Sequence, residues 1–207
     1  MDVWAVTIDA RRSLLAVFEG LDDPQWDVPS LCGEWTVRQV LAHLVLAARP
    51  PAGRYAVAVA KAGGSFDRAN HALAVADAGQ SVADLLANYR AVLDHRFAPP
   101  GWPAAAPLSD ILLHALDVRI PLGLPSDQAA ADYEPVMGLL FRRFARSFTV
   151  DGRPTVRWVA TDHPWSHGDG PEARGTMADL ALTAAGRSAH VGRLEGDGAA
   201  LLAAWLH

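Results

Sequence analysis

The chain has a single cysteine, Cys32, and a single lysine, Lys61, among 207 residues. One cysteine excludes an intrachain disulfide framework and fits a reducing cytoplasm. Basic residues are outnumbered, 18 Lys+Arg against 23 Asp+Glu for a net charge of -5. That balance leaves no basic footprint, so no nucleic-acid partner is expected. No apolar run approaches the roughly 20 residues of a membrane span, so no membrane partner is expected either. The N-terminal MDVWAVTIDARR lacks the charged-then-apolar order of a signal peptide. There is no Ser-His-Asp order, P-loop, dinucleotide fingerprint, internal repeat or long low-complexity tract. What remains is 51% hydrophobic and 20% charged, ordinary for a folded chain. Its length allows one core, or a main domain with a small second one.

In chain order, Val3 to Leu21 reads as a first helix, with Val6, Leu14, Val17 and Phe18 inward and Arg11, Arg12 and Glu19 toward solvent. Thr36 is the expected N-cap of a helix running to about Ala48, since its hydroxyl can satisfy an amide two or three residues on. Val37, Val40, Leu41, Leu44 and Val45 recur at helical spacing and define its buried face. Further helices are expected over Tyr55–Ala62, Phe66–Ala78, from an N-cap at Ser81, over Leu108–Val118, and from Ser126 or Asp127 through Phe148 with a kink at Pro135. After Asp151 the character changes. Thr155 to Thr161 alternates and is β-branched and aromatic, which predicts a strand. The stretch DHPWSHGDGPEARG reads as a loop, and helices follow over Thr176–Ala185 and Ala199–Leu206. The pattern predicts a mainly α protein with a small α+β module, divided into 1–150 and 151–207.

Three polar groups sit where the pattern calls for core. His43 lies near the edge of an apolar stripe, where an imidazole is expensive unless it has a partner. Asp110 and His114, at i and i+4, share one face of one helix among Ile111, Leu112, Leu113 and Leu116. A carboxylate and an imidazole one turn apart, with a second imidazole from another helix, can supply three ligands to a divalent metal. Such a set leaves a position open for water or a thiol, as catalytic sites do. The plainer alternatives stand beside it: Asp110 as a first-turn residue at a helix N-terminus, and His43 as a core histidine bonded to a carbonyl. Asp117 orients the His114 ring or pairs with Arg119. Cys32 is a thiol activated by a nearby helix start or a small buried hydrophobe; with no base adjacent in sequence, the second is favoured. Trp35 walls a pocket or is an ordinary core aromatic. His163, His167 and Asp169 suggest a second metal site or are turn residues.

These residues also carry a resemblance. CGEWTVRQVLAHL resembles the C-x-x-W-T-V-R-(D/Q)-(L/V)-(L/V)-A-H-L signature of the mycothiol-dependent maleylpyruvate isomerase family. Asp110-x-x-x-His114-x-x-Asp117-x-Arg119 with Leu122-Gly123 resembles that family's E-x-x-x-H-x-x-D-x-R-x-x-L-G segment, with Asp110 in place of glutamate. The C-terminal WVATDHPWSHGDGPEARGTMADLALTAAGR with LEGDG resembles its small α+β module. The likeness implies a DinB-like four-helix bundle followed by that module, and a metal, zinc foremost, held by His43, Asp110 and His114. It implies mycothiol as cosubstrate, with Trp35 and Asn70 carried over as cofactor-binding positions. The expected activity is that of a metal-dependent transferase or isomerase using a thiol on a small electrophile. A non-catalytic metal-binding or regulatory protein and a metal-dependent hydrolase are the alternatives. The expected assembly is a monomer or homodimer in the cytoplasm, with a small substrate and a low-molecular-weight thiol as partners.

Overall fold

The computed structural model describes residues 1–33, 35–142 and 150–207. It divides into two compact units, Met1–Ser126 and Asp127–His207.

The first unit is helical: α1 Val3–Glu19, α2 Val37–Ala48, α3 Ala52–Lys61, α4 Phe66–Asp77, α5 Val82–Val92 and α6 Ala105–Arg119. Packing of α1 on α6, α6 on α2, α2 on α5 and α5 on α1 closes a ring, which is a four-helix bundle. The α3–α4 pair is attached to its outside, α4 against α2 and α3 against α4. Polar caps set the starts. Asp2, Ser65 and Ser81 each accept amides of the first turn, and Thr36 and Gln39 form a reciprocal capping box on α2. The core is built from Leu14, Phe18, Leu41, Leu85, Tyr89 and Leu112, all at most 1% exposed. Phe18 stacks on Trp26 at 5.7 Å and meets Tyr89 edge-on at 5.8 Å.

Arg11 departs from the pattern: expected at the surface, it is only 5% exposed. Its guanidinium donates to the carbonyls of Leu93 at 3.2 Å and His95 at 2.7 Å, closing the C-terminal end of α5, where helix carbonyls lack partners. Arg11→Met keeps the packed stem but leaves those acceptors without a donor. It is expected to lower stability by about 1.5–3 kcal/mol, the range for hydrogen bonds to charged groups. A lower urea midpoint at unchanged slope checks this.

The second unit begins with a 3-10 turn over Ala130–Tyr133 and α7 Glu134–Leu140. The long helix expected from Ser126 or Asp127 is therefore absent at its start. Pro135 sits in the first turn of α7, where its missing N–H costs nothing, instead of kinking a longer helix. The expected stretch over 143–149 lies outside the described residues. Strands β1 Arg157–Ala160, β2 Ser166–His167 and β3 Glu172–Gly175 form a sheet in the order β2-β1-β3. β2 runs antiparallel to β1, with Trp158 opposite His167; β3 runs parallel to it, with Trp158 opposite Ala173. The stretch read as one loop thus holds two strands. β2 is two residues long, and β3 (EARG) is too polar to signal itself; its pairing with β1 and the burial of Ala173 and Gly175 define it. Helices α8 Met177–Ala184 and α9 Asp197–Leu206 complete the unit, α8 packing on α7 and α9 on β3. Because α8 also packs on the Ala130–Tyr133 turn, packing divides the chain at Ser126, ahead of the compositional change at Asp151.

No described helix is long and apolar enough to cross a membrane.

Candidate metal centre

His43 reaches the site from the second turn of α2, and Asp110 and His114 from successive turns of α6, which pack together. α6 begins at Ala105, three residues before the sequence signal, so Asp110 lies beyond the first turn and is not an N-terminal partner. Instead one carboxylate oxygen faces both imidazoles. Asp110 Oδ1 is 3.1 Å from His43 Nε2 and 3.6 Å from His114 Nε2. The three donor atoms all lie within 4.8 Å of one another. The shorter aspartate therefore reaches the place where the two histidines converge. The side chains of His43 and His114 are each 8% exposed and that of Asp110 is 20% exposed, so access is by the carboxylate side.

The two histidines are held differently. His114 Nδ1 bonds to Asp117 Oδ2 at 2.9 Å, and the Asp117 side chain is fully buried. That fixes the ring and keeps the hydrogen on Nδ1 whenever Nε2 binds a cation. Among the described residues, none bonds to the buried Nδ1 of His43. Its ring is steered by packing: the Trp35 indole lies 4.8 Å away, and the His114 ring 4.9 Å away, edge-on. Trp35 also meets His114 at 5.9 Å and is 8% exposed, so it walls the site.

Electrostatics keep Asp110 ionised and His114 protonated. Burial raises the Asp110 carboxyl, but His43, hydrogen-bonded to it, and the charges of His114 and Arg11 outweigh this and hold it at about 2. For His114, burial works against the charged ring. The sulfur of Cys32, the bond to Asp117 and the charge of Asp110 prevail and push it up to about 10. Each shift makes stability depend on pH. In the metal-free protein His114 contributes stability that is complete below 6.5 and lost as pH rises to about 10. Asp110 contributes stability present above 3.8 and lost as pH falls to about 2. A cation must displace the His114 proton. Its apparent affinity is therefore expected to rise with pH, about tenfold per unit for each proton released. Zinc titrations between pH 6 and 8, in buffers of different ionisation enthalpy, measure both the slope and the protons released.

Cys32 departs from the reading as a small buried hydrophobe. It is half-buried, and its sulfur shares a second group of possible metal donors with His114 and Asp117. The base that sequence neighbours do not offer comes from α6. The loop is pinned there: Cys32 N–H donates to Ser30 Oγ at 3.1 Å, and Leu31 N–H to the Asp117 carbonyl at 3.1 Å. Gly33 turns the chain with a φ of +59°. Asn70, on α4, accepts the Tyr55 hydroxyl at 2.8 Å. His163 pairs with Glu134, and His167 lies on β2, stacked on Phe141 at 4.2 Å. Among the described residues, neither they nor Asp169 belong to a ligating group.

A family model, the mycothiol maleylpyruvate isomerase N-terminal domain, matches residues 8–119. Two solved structures are similar over 95% of this chain and 92% of theirs, each at 13% identity. They are crystal structures of the mycothiol-dependent maleylpyruvate isomerase, one of a His-to-Ala mutant with a TM-score of 0.65 and one with a TM-score of 0.59. At that identity the likeness is one of fold. No curated protein matches the sequence.

Proposed function

The chain belongs to the mycothiol maleylpyruvate isomerase family, and from that premise we propose that its bundle is a divalent-metal, thiol-using enzyme of small electrophilic molecules. His43, Asp110 and His114 hold the ion, zinc by the chemistry of a two-imidazole, one-carboxylate set. The observation that carries this is the shared carboxylate oxygen facing both Nε2 atoms, with Asp117 behind one ring. When bound, the ion supplies a positive charge that lowers a thiol pKa and keeps the thiolate in place.

The protein's own groups do the rest. Asp117 holds the His114 hydrogen on Nδ1 and leaves Nε2 for the ion. Trp35 covers both imidazoles and keeps water from that side. Asn70, fixed by Tyr55, has its amide hydrogens available to a cosubstrate. The thiolate of mycothiol adds to one carbon of a carbon–carbon double bond conjugated to a carbonyl: the carbon–sulfur bond forms, the π bond breaks, and its electron pair moves onto the carbonyl oxygen as an enolate. Rotation about the adjoining carbon–carbon bond and loss of the same thiolate give the isomer and return the thiol, with no net redox change. If the enolate is instead protonated at carbon by water, the thioether persists and the outcome is S-conjugation. A low-molecular-weight thiol and the single cysteine are consistent with a cytoplasmic setting.

Zinc-loaded protein with mycothiol and maleylpyruvate, followed by loss of the cis substrate, tests the reading, with a panel of other electrophiles for S-conjugation. Thiol-dependent turnover at least about 100-fold above that of the His43→Ala/His114→Ala protein is expected, since metal catalysis contributes several kcal/mol. Tight zinc binding without turnover on any of them would favour a second reading, a metal-binding or regulatory protein. Asp110, standing where the family segment carries glutamate, is the feature that speaks for that reading.

A further inference from the structure

A third imidazole borders the centre and belongs to no ligating group among the described residues: His71, on α4, exposed at the surface. The Trp35 indole N–H donates to His71 Nδ1 at 2.9 Å, and the two rings stack at 6.1 Å and 17°. An indole nitrogen can only donate. His71 Nδ1 must therefore be the acceptor, and the neutral ring carries its hydrogen on Nε2. This tautomer follows from the partner's chemistry, not from a choice between equivalent networks. No protein group among the described residues accepts from that Nε2–H. The indole that holds His71 is the same one that packs over His43 and His114. His71 is thus where the aromatic wall of the centre meets solvent.

Asn70 precedes His71 on α4, and Tyr55 lies on α3. Asn70 engages the Tyr55 hydroxyl through its carbonyl oxygen, which leaves two amide hydrogens. Burial raises the Tyr55 phenol, its bond to Asn70 works the other way, and the charges of Asp67 and Asp110 add to the rise.

We propose that His71 is a substrate-binding residue, its Nε2–H donating to a carboxylate or carbonyl oxygen of the small molecule treated at the centre, and that Trp35 is the positioning residue that sets the tautomer. This rests on the metal-centre reading above. Within it, the recognised group is an oxygen acceptor beside the reacting carbon, met by a neutral donor and not by an arginine or lysine.

The probe is maleate, an unreactive dicarboxylate, titrated calorimetrically into zinc-loaded protein. His71→Ala is expected to weaken maleate binding about tenfold, the loss of one hydrogen bond to a charged acceptor. Zinc affinity should stay as in the wild type. His71→Gln, whose amide nitrogen can stand in for Nε2, should recover most of the loss, and His71→Asn should not. Nitrogen NMR of the imidazoles is a readout independent of the loaded enzyme. It should find the His71 hydrogen on Nε2 in the wild type and a mixture of tautomers in Trp35→Phe, which should bind maleate severalfold more weakly. Equal maleate binding by wild type and His71→Ala, no maleate binding by the zinc-loaded wild type, or a hydrogen on His71 Nδ1 would each overturn the proposal while zinc still binds. Failure of zinc to bind would instead overturn the metal-centre reading, and this inference with it.

Discussion

His114→Ala is expected to lose at least about 100-fold in zinc affinity, beyond the 10–100-fold typical of losing an outer partner of a metal ligand. His114 is the most heavily supported group of the centre. Asp117 holds its Nδ1, Asp110 faces its Nε2 and Trp35 packs on its ring. Removing it leaves His43, whose Nδ1 has no partner among the described residues, and a single carboxylate. Two donors on separate helices do not make a closed site in competition with water. Asp117 also loses its imidazole partner while fully buried, so the metal-free variant should be destabilised by about 1–3 kcal/mol as well. Zinc titration against a competing chelator, with a urea melt of the metal-free protein, reads both effects. Wild-type zinc affinity in the variant would remove His114 from the ligand set.

Asp117→Asn is expected to act through His114 without touching the ion. The amide can still accept from Nδ1–H, but it brings no negative charge and two hydrogens to a fully buried place. Zinc affinity should fall about 10–100-fold, as for other outer partners of ligating histidines. A second signature separates this from simple misfolding. Part of what pushes His114 up to about 10 is its bond to Asp117. The histidine in Asp117→Asn should therefore titrate lower, followed by NMR of the metal-free protein. Fewer protons should then be released on zinc uptake near neutral pH. Reduced affinity with an unchanged His114 titration would contradict the orienting role of Asp117.

Much of this was legible in the chain because it is local. The Thr36 cap and the apolar spacing of α2 mark that helix and put His43 on it. The i,i+4 spacing of Asp110 and His114 puts both on one face of α6 wherever the helix begins. Legibility ends where the partner is distant in sequence. Arg11 looks like a surface arginine until the carbonyls of Leu93 and His95 are seen to need a donor. Cys32 looks inert until α6 brings His114 beside it. His71 looks like any helix-surface histidine until its ring is found against Trp35, 36 positions earlier. β3 is invisible for the same reason, since its identity lies in parallel pairing to β1 and not in its own four residues. The expected helix from Ser126 or Asp127 fails on one residue. Pro135 reads equally well as a mid-helix kink or a first-turn residue, and only the backbone ahead of it decides.

The most direct test of the central claim is an anomalous-scattering map from a crystal of the protein grown with zinc, collected on both sides of the zinc edge. One peak bonded to His43, Asp110 and His114 is expected, with Asp117 still on the far nitrogen of His114. A map with no peak there, or with the ion held elsewhere in the bundle, would contradict it.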